Sequence, residues 1–222
     1  MLSRTASVDV SETSNPNGML CVTLSQGIHA AAQPLSILRA SLDRDYVDRM
    51  SLDELRKLAA TSAAQVERVC TLFSLMQQMV NIETVKPRLM VTSIPPLISY
   101  ATEGVNLLFE KQGIRLVSTV RDSSGDVAID RERTLQALTT VLLLALEASS
   151  HDGVVELVAS GSAGRLVVGV GNQDAFSDSL NAESCLSMAL AEANVISQGG
   201  AFAYTTKPFN VRMSFEMELP AL

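Results

Sequence analysis

Two stretches of this chain place apolar residues at alternating steps of four and three, and no other feature limits the fold as sharply. In the first, Leu24, Ile28, Ala31, Leu35, Leu38 and Leu42 form the ladder; in the second, Leu55, Ala59, Ser62, Val66, Val69, Phe73, Met76 and Val80 do. Such spacing puts one apolar stripe on a helix and fits a seam against other helices. The first helix is expected from about Leu20 to Asp43. The second starts at Ser51-Leu52-Asp53-Glu54, where the Ser51 hydroxyl and Glu54 carboxylate form a capping box. Asp43 to Arg49 is the connector, so the two helices form an antiparallel hairpin. A hairpin with continuous seams on both arms cannot bury them alone, and pairing with a second copy as a four-helix bundle is the expected solution.

Within the first ladder lies Gly27-Ile28-His29-Ala30-Ala31-Ala32-Gln33-Pro34-Leu35. Proline inside a helix removes one backbone hydrogen bond and crowds a carbonyl, at a cost of about 3 kcal/mol. Its presence five residues after a histidine marks the segment. With Leu24, Ile28, Ala31 and Leu35 as seam positions, His29 falls at a flanking position beside the core. Ala32, Gln33, Ser36, Arg39 and Ala40 continue that face with small or polar side chains, which suits docking by another protein.

From Lys86-Pro87 onward the pattern becomes mixed. Short strands are expected at Arg88 to Thr92, Ile114 to Val120, Val127 to Ile129, Val154 to Ala159, Leu166 to Val170, Ala201 to Thr205 and Val211 to Leu219. Helices are expected from Pro95-Pro96, which suit a first turn, to Lys111, then from Arg131 to Ser149 behind Asp130 as cap, and from Ala182 to Ser197 before Gly199-Gly200. The loop Gly161-Ser162-Ala163-Gly164 and the turn Lys207-Pro208-Phe209-Asn210 close two hairpins. The fold class is α+β, with residues 1–18 a flexible tail, 19–84 a helical hairpin for dimerisation, and 85–222 a sheet covered by helices on one face.

This order, together with His29, Gln33, Pro34 and Leu35, resembles the catalytic core of bacterial sensor histidine kinases over roughly residues 20 to 220. The family's first helix carries H-E-x-x-T/N-P-L, and those four residues occupy its histidine, fifth, proline and leucine positions. Asp130 to Gln136 resembles the lead-in to the ATP-domain helix, and Met217-Glu218-Leu219-Pro220 its closing strand. The resemblance implies an α/β sandwich of the histidine-kinase ATPase (Bergerat) type. It also implies a phosphoacceptor role for His29 and a water-orienting role for Gln33.

The nucleotide boxes depart from the family. Thr140-Val141-Leu142-Leu143-Leu144-Ala145 stands where N-L-x-x-N-A would be, which puts Leu144 at the Mg²⁺ ligand position, and a hard cation needs oxygen donors. Gly171-Asn172-Gln173 opens the stretch that matches D-x-G-x-G, with Gly171 in place of the acid and Gln173 in place of the first glycine. Cys185-Leu186-Ser187-Met188 matches G-L-G-L with both glycines lost, so the backbone approach to phosphates is lost with them. Ala30 replaces the acid after the histidine, and losing a positioned acid/base group typically costs about 10²–10⁴-fold in rate. No cofactor or metal is therefore expected. The chain reads as a histidine-kinase-like two-component protein that relays phosphoryl groups through His29 to or from a response-regulator receiver domain, without binding ATP. The alternatives are an inactive pseudokinase scaffold that binds a regulator or kinase, and a receiver phosphatase using Gln33.

The remaining features narrow the setting. A net charge of −7, with 17 Lys and Arg against 24 Asp and Glu, argues against nucleic-acid or anionic-membrane partners. Cys21, Cys70 and Cys185 form no CxxC pair and read as buried thiols in a reducing compartment. Val141 to Leu146 is the longest aliphatic run and too short to span a bilayer, and the N-terminus lacks the order of a signal peptide, so a cytoplasmic protein is expected. No sensor module is recognisable before Leu20, so input is expected from another protein. His151 reads as surface. Met76, Met79, Met90, Met188, Met213 and Met217 read as core.

Overall fold

A computed structural model of the chain describes residues 16–42, 47, 50–121, 126–162, 164–172, 181–206 and 208–216. Two long helices come first, α1 (Pro16–Ser41) and α2 (Leu52–Thr84). Pro34 lies inside α1 without ending it. At the start of α2 the capping box forms as its spelling predicts: the Glu54 amide donates to the Ser51 hydroxyl and the Ser51 amide donates to the Glu54 carboxylate.

The second half alternates β1 (Met90–Ser93), α3 (Ile94–Lys111), β2 (Arg115–Arg121), β3 (Asp126–Ile129), α4 (Arg131–Glu147), β4 (Val154–Ser162), β5 (Arg165–Asn172), α5 (Ala182–Ile196), β6 (Ala201–Thr206) and β7 (Phe209–Glu216). A mixed five-stranded sheet runs β2-β4-β5-β7-β6, with only the β2–β4 pair parallel; β1 and β3 form a separate antiparallel ribbon. Gly113 closes α3 in the left-handed region at φ 69°. Asp130 caps α4 by accepting from the Arg133 amide at 3.1 Å.

Burial alternates cleanly along β4, β5 and β7. Val155, Leu157, Val168, Val170, Val211 and Met213 face the main core, where Leu97, Phe109, Leu138, Leu142 and Ala191 from the three helices meet them. The opposite face of the sheet is covered by no described element.

The structure corrects several expectations from the sequence. Gly161 and Ser162 belong to β4, and Phe209 and Asn210 to β7, so both hairpins turn more tightly than expected. Cys70 and Cys185 are exposed rather than buried, because each lies on the outer side of its helix; the side chain of Cys21 lies outside the described residues. Met90 is exposed on the short ribbon, whereas Met76, Met79, Met188 and Met213 are core. Met217, Gln173, most of the expected tail and the closing Glu218 to Pro220 lie outside the described residues.

Each ladder resolves into two heptad rows with different fates. Leu24, Ala31 and Leu38 turn inward on α1, joined by Gly27 and Pro34; Leu55, Ser62, Val69 and Met76 turn inward on α2, joined by Leu58, Gln65, Leu72 and Met79. The other members, Ile28, Leu35 and Leu42 on α1 and Val66, Phe73 and Val80 on α2, are exposed within the single chain.

Candidate functional site around His29

His29 sits in the middle of α1 with its side chain exposed, and makes no hydrogen bond to a described residue. At about 100° of rotation per residue, Gln33, Ser36 and Ala40 share its face, with Ala32 and Arg39 beside them. All five are exposed. The Ser36 hydroxyl is engaged by its own helix, donating to the Ala32 carbonyl at 2.8 Å. Arg39 is the one Lys, Arg, Asp or Glu on α1. The face is therefore nearly uncharged, with an imidazole and an amide one turn apart.

Two features border this face. On one side runs the exposed row Ile28, Leu35 and Leu42. On the other, Ala30 is half-buried in a second hydrophobic cluster, in which Ala31, Leu72, Met79 and Ile82 of the hairpin meet Leu186 and Leu190 of α5. The hairpin therefore packs part of its surface on its own α/β unit. Pro34 has no N–H, so the Ala30 carbonyl lacks its usual donor four residues on.

Polar contacts missed by the sequence reading hold α5 and α4 against the hairpin. Arg133, only 11% exposed, pairs with Asp130 at 3.7 Å and donates to the Ser197 hydroxyl at 2.8 Å, to the Ile82 carbonyl at 3.4 Å and to the Val85 carbonyl. Asp130 in turn accepts from the Arg88 amide at 2.8 Å. Gln136 donates to the Gln78 side chain and accepts from Asn194 at 3.3 Å. The signal available in the sequence was Arg133 three residues after a helix cap, but its partners lie some fifty and sixty residues away.

The positions matched to nucleotide boxes lie apart from His29. Leu144 is 4% exposed and part of the main core. Thr140 is half-buried on the same helix. One turn after Leu144, Glu147 accepts from the Ser184 hydroxyl at 3.0 Å and from the Asn181 amide at 3.2 Å, tying the end of α4 to the start of α5. Gly171 is an outward position on β5, where a Cβ would stand 3.3 Å from the Asn210 amide. On α5, Ser187 is half-buried and Cys185 exposed, and partial burial still pushes the Cys185 thiol up from its usual range. Among the described residues no group of three or more His, Cys, Asp or Glu is arranged to hold a metal ion. His151 is at the surface as expected, its Nδ1 3.1 Å from Asp152.

No protein-family model and no curated protein matches the sequence. Solved structures do match the fold. A histidine kinase of Acinetobacter baumannii, AdeS, superposes with a TM-score of 0.67 at 14% identity, over 86% of this chain and 98% of that one. The histidine kinase ThkA, solved in complex with the response regulator protein TrrA, gives 0.70 at 13% identity, over 91% of this chain and 63% of that one. Full-length ShkA in complex with AMPPNP gives 0.58 at 14% identity, over 94% and 48%. At such identities the likeness establishes the fold: a helical hairpin followed by an ATPase-type α/β unit, as in histidine kinase cores.

Proposed function

We propose that this chain is a two-component signalling protein that passes phosphoryl groups between His29 and a receiver domain, without using ATP. The observation that carries the reading is the placement of His29: exposed, on a nearly uncharged face, one turn from Gln33, with Pro34 and Leu35 completing the box. An unprotonated imidazole nitrogen attacks the phosphorus of a receiver's aspartyl phosphate; the new P–N bond forms as the P–O bond breaks, and the carboxylate leaves. The solved complex of one fold neighbour with a response regulator supports a receiver as the partner.

The hairpin, residues 19–84, serves as the dimerisation and phosphotransfer domain, and residues 85–222 as a degenerate ATPase-like domain. The exposed rows of Ile28, Leu35 and Leu42 and of Val66, Phe73 and Val80 supply the apolar surface that a second hairpin covers in a four-helix bundle. The residues present do not fit a magnesium nucleotide: Leu144 offers hydrocarbon where an oxygen ligand is needed, and Glu147 is already taken by Ser184 and Asn181. No helix among the described residues is long and apolar enough to cross a membrane, in keeping with work in the cytoplasm.

Incubation with a receiver carrying radiolabelled aspartyl phosphate tests this. Label should move to the wild-type chain and not to His29→Ala. Binding that persists equally in both without transfer would instead make the chain a pseudokinase scaffold. The exposure of Gln33 beside His29 favours a further reading as a receiver phosphatase; faster loss of receiver phosphate, abolished by Gln33→Ala, is the result that reading requires.

A further inference from the structure

The uncovered face of the sheet inverts the charge of the molecule. On a chain of net charge −7 it carries Arg115, Arg121, Arg165 and Arg212 against Glu156 and Glu216. Register spreads three of these arginines over the half of the face that begins at the β4–β5 turn: Arg165 lies opposite both Ser162 and Glu216 in the end row, Arg121 opposite Ser160 two residues in, and Arg212 opposite Gly169 four residues in. Arg165 is held by Glu216 at 2.9 Å, while Arg212 forms no ion pair among the described residues.

Two adjoining hollows, each of about 290 Å³, open on this face. The first has Ser160, Ser162, Arg165 and Arg212 around it; the second lies on the backbone of Gly169 to Asn172, with Val154, Glu156, Val158 and Asn210 at its sides. Each is close to the lower end of small-molecule sites, about 300 Å³.

Gly169 makes the second hollow, and its identity lacks a structural cause. A Cβ added there would find only the Val158 carbonyl, 3.9 Å away, in ordinary contact and with ordinary backbone torsions. Gly161, also near the first hollow, is different, since a Cβ there would run into Ile94 at 2.0 Å. Glycine weakens the interior of a strand, and where neither packing nor torsion demands it, close approach of a ligand is a recognised reason for it.

We infer that this face binds a small organic phosphate, its oxyanion on Arg212, Arg165, Ser160 and Ser162 and its uncharged, flat body on the floor at Gly169. Guanidinium groups present paired N–H donors that match phosphate oxygens, and hydroxyls complete the shell. Val154 and Val158 flank a ring lying on the glycine floor, and the Asn210 amide stands at its edge. This site is separate from His29 and does not depend on the phosphotransfer reading.

Titration of the full isotope-labelled chain with phenyl phosphate, followed by amide chemical shifts, tests the site. Saturable shifts are expected at Val158, Gly169, Gly171 and Arg212, with inorganic phosphate binding more weakly because it lacks the body. Replacing both Arg165 and Arg212 by Ala should weaken phenyl phosphate by about tenfold or more, as loss of charge-assisted bonds predicts. Gly169→Val, whose Cβ has room there, should keep the spectrum of a folded chain and reduce phenyl phosphate to the affinity of inorganic phosphate. The inference is overturned by an absence of saturable shifts on this face at millimolar ligand, by equal affinity for the two phosphates in the wild type, or by affinities that the arginine and glycine variants leave unchanged.

Discussion

Met76 lies so close over Gly27 that a Cβ placed on the glycine would stand 2.7 Å from the methionine Sδ and 2.9 Å from its Cγ. The two arms of the hairpin meet closely here, two residues before His29, and Leu186 of α5 reaches the same spot at 3.4 Å. Gly27→Val should overpack this contact and lower stability by about 1–3 kcal/mol. Met76→Ala in the same chain should recover part of the loss, a non-additivity measured by urea denaturation of both single variants and the double variant.

Ala30 is half-buried against the cluster that Ala31, Leu72, Met79 and Ile82 form with Leu186 and Leu190 of α5. Ala30→Glu restores the acidic residue of the histidine box but presses a carboxylate against hydrocarbon, and should cost about 1–3 kcal/mol. It should not produce labelling of His29 from Mg-ATP, even combined with Leu144→Asn. Labelled phosphohistidine in that double variant would contradict the reading of the nucleotide site.

Phe73 is 53% exposed in the single chain, with Val66 and Val80 one heptad to either side. The proposed bundle of two hairpins would bury this row. Val66→Glu with Phe73→Glu should therefore halve the mass measured by light scattering while the helical circular dichroism persists; an unchanged mass would exclude this surface as the dimer contact.

Arg133 is nearly buried and holds three segments at once, through Asp130, Ser197 and the carbonyls of Ile82 and Val85. Arg133→Met keeps much of the volume but leaves Asp130 and those carbonyls short of donors. A loss of about 1.5–3 kcal/mol is expected, read as a lower urea midpoint. Amide exchange should quicken most at the end of α2, where the hairpin joins the α/β unit.

Two carboxylates respond to pH in opposite senses. The hydrogen bond from the Ser51 hydroxyl, then that from its amide, holds the Glu54 carboxyl below its ordinary 4.5, so its contribution is present above that value and lost as pH falls through the folded pKa. Burial pushes the Glu192 carboxyl above 4.5, so its contribution is present below that value and lost as pH rises through the folded pKa. Glu54→Gln should therefore destabilise more at pH 7 than at pH 3, and Glu192→Gln should stabilise more at pH 7 than at pH 3, both read from urea midpoints.

The sequence by itself determined the elements. Helix starts were spelled out at Ser51 and Asp130, a mostly apolar run marked the strand at Val154 to Ala159, and a histidine followed by Pro-Leu marked α1. These signals act within a few residues, through caps, turns and side-chain period, so they survive in a linear reading. The same period could not say which of two neighbouring heptad rows turns inward. That choice was made by Gly27, Met76 and α5, whose contacts join residues about fifty and more than a hundred positions apart. Likewise the surroundings of Ala30, the reach of Arg133 and the arginines on the uncovered sheet face came from tertiary packing and strand register, because a side chain's partners depend on volumes and directions that no local pattern encodes.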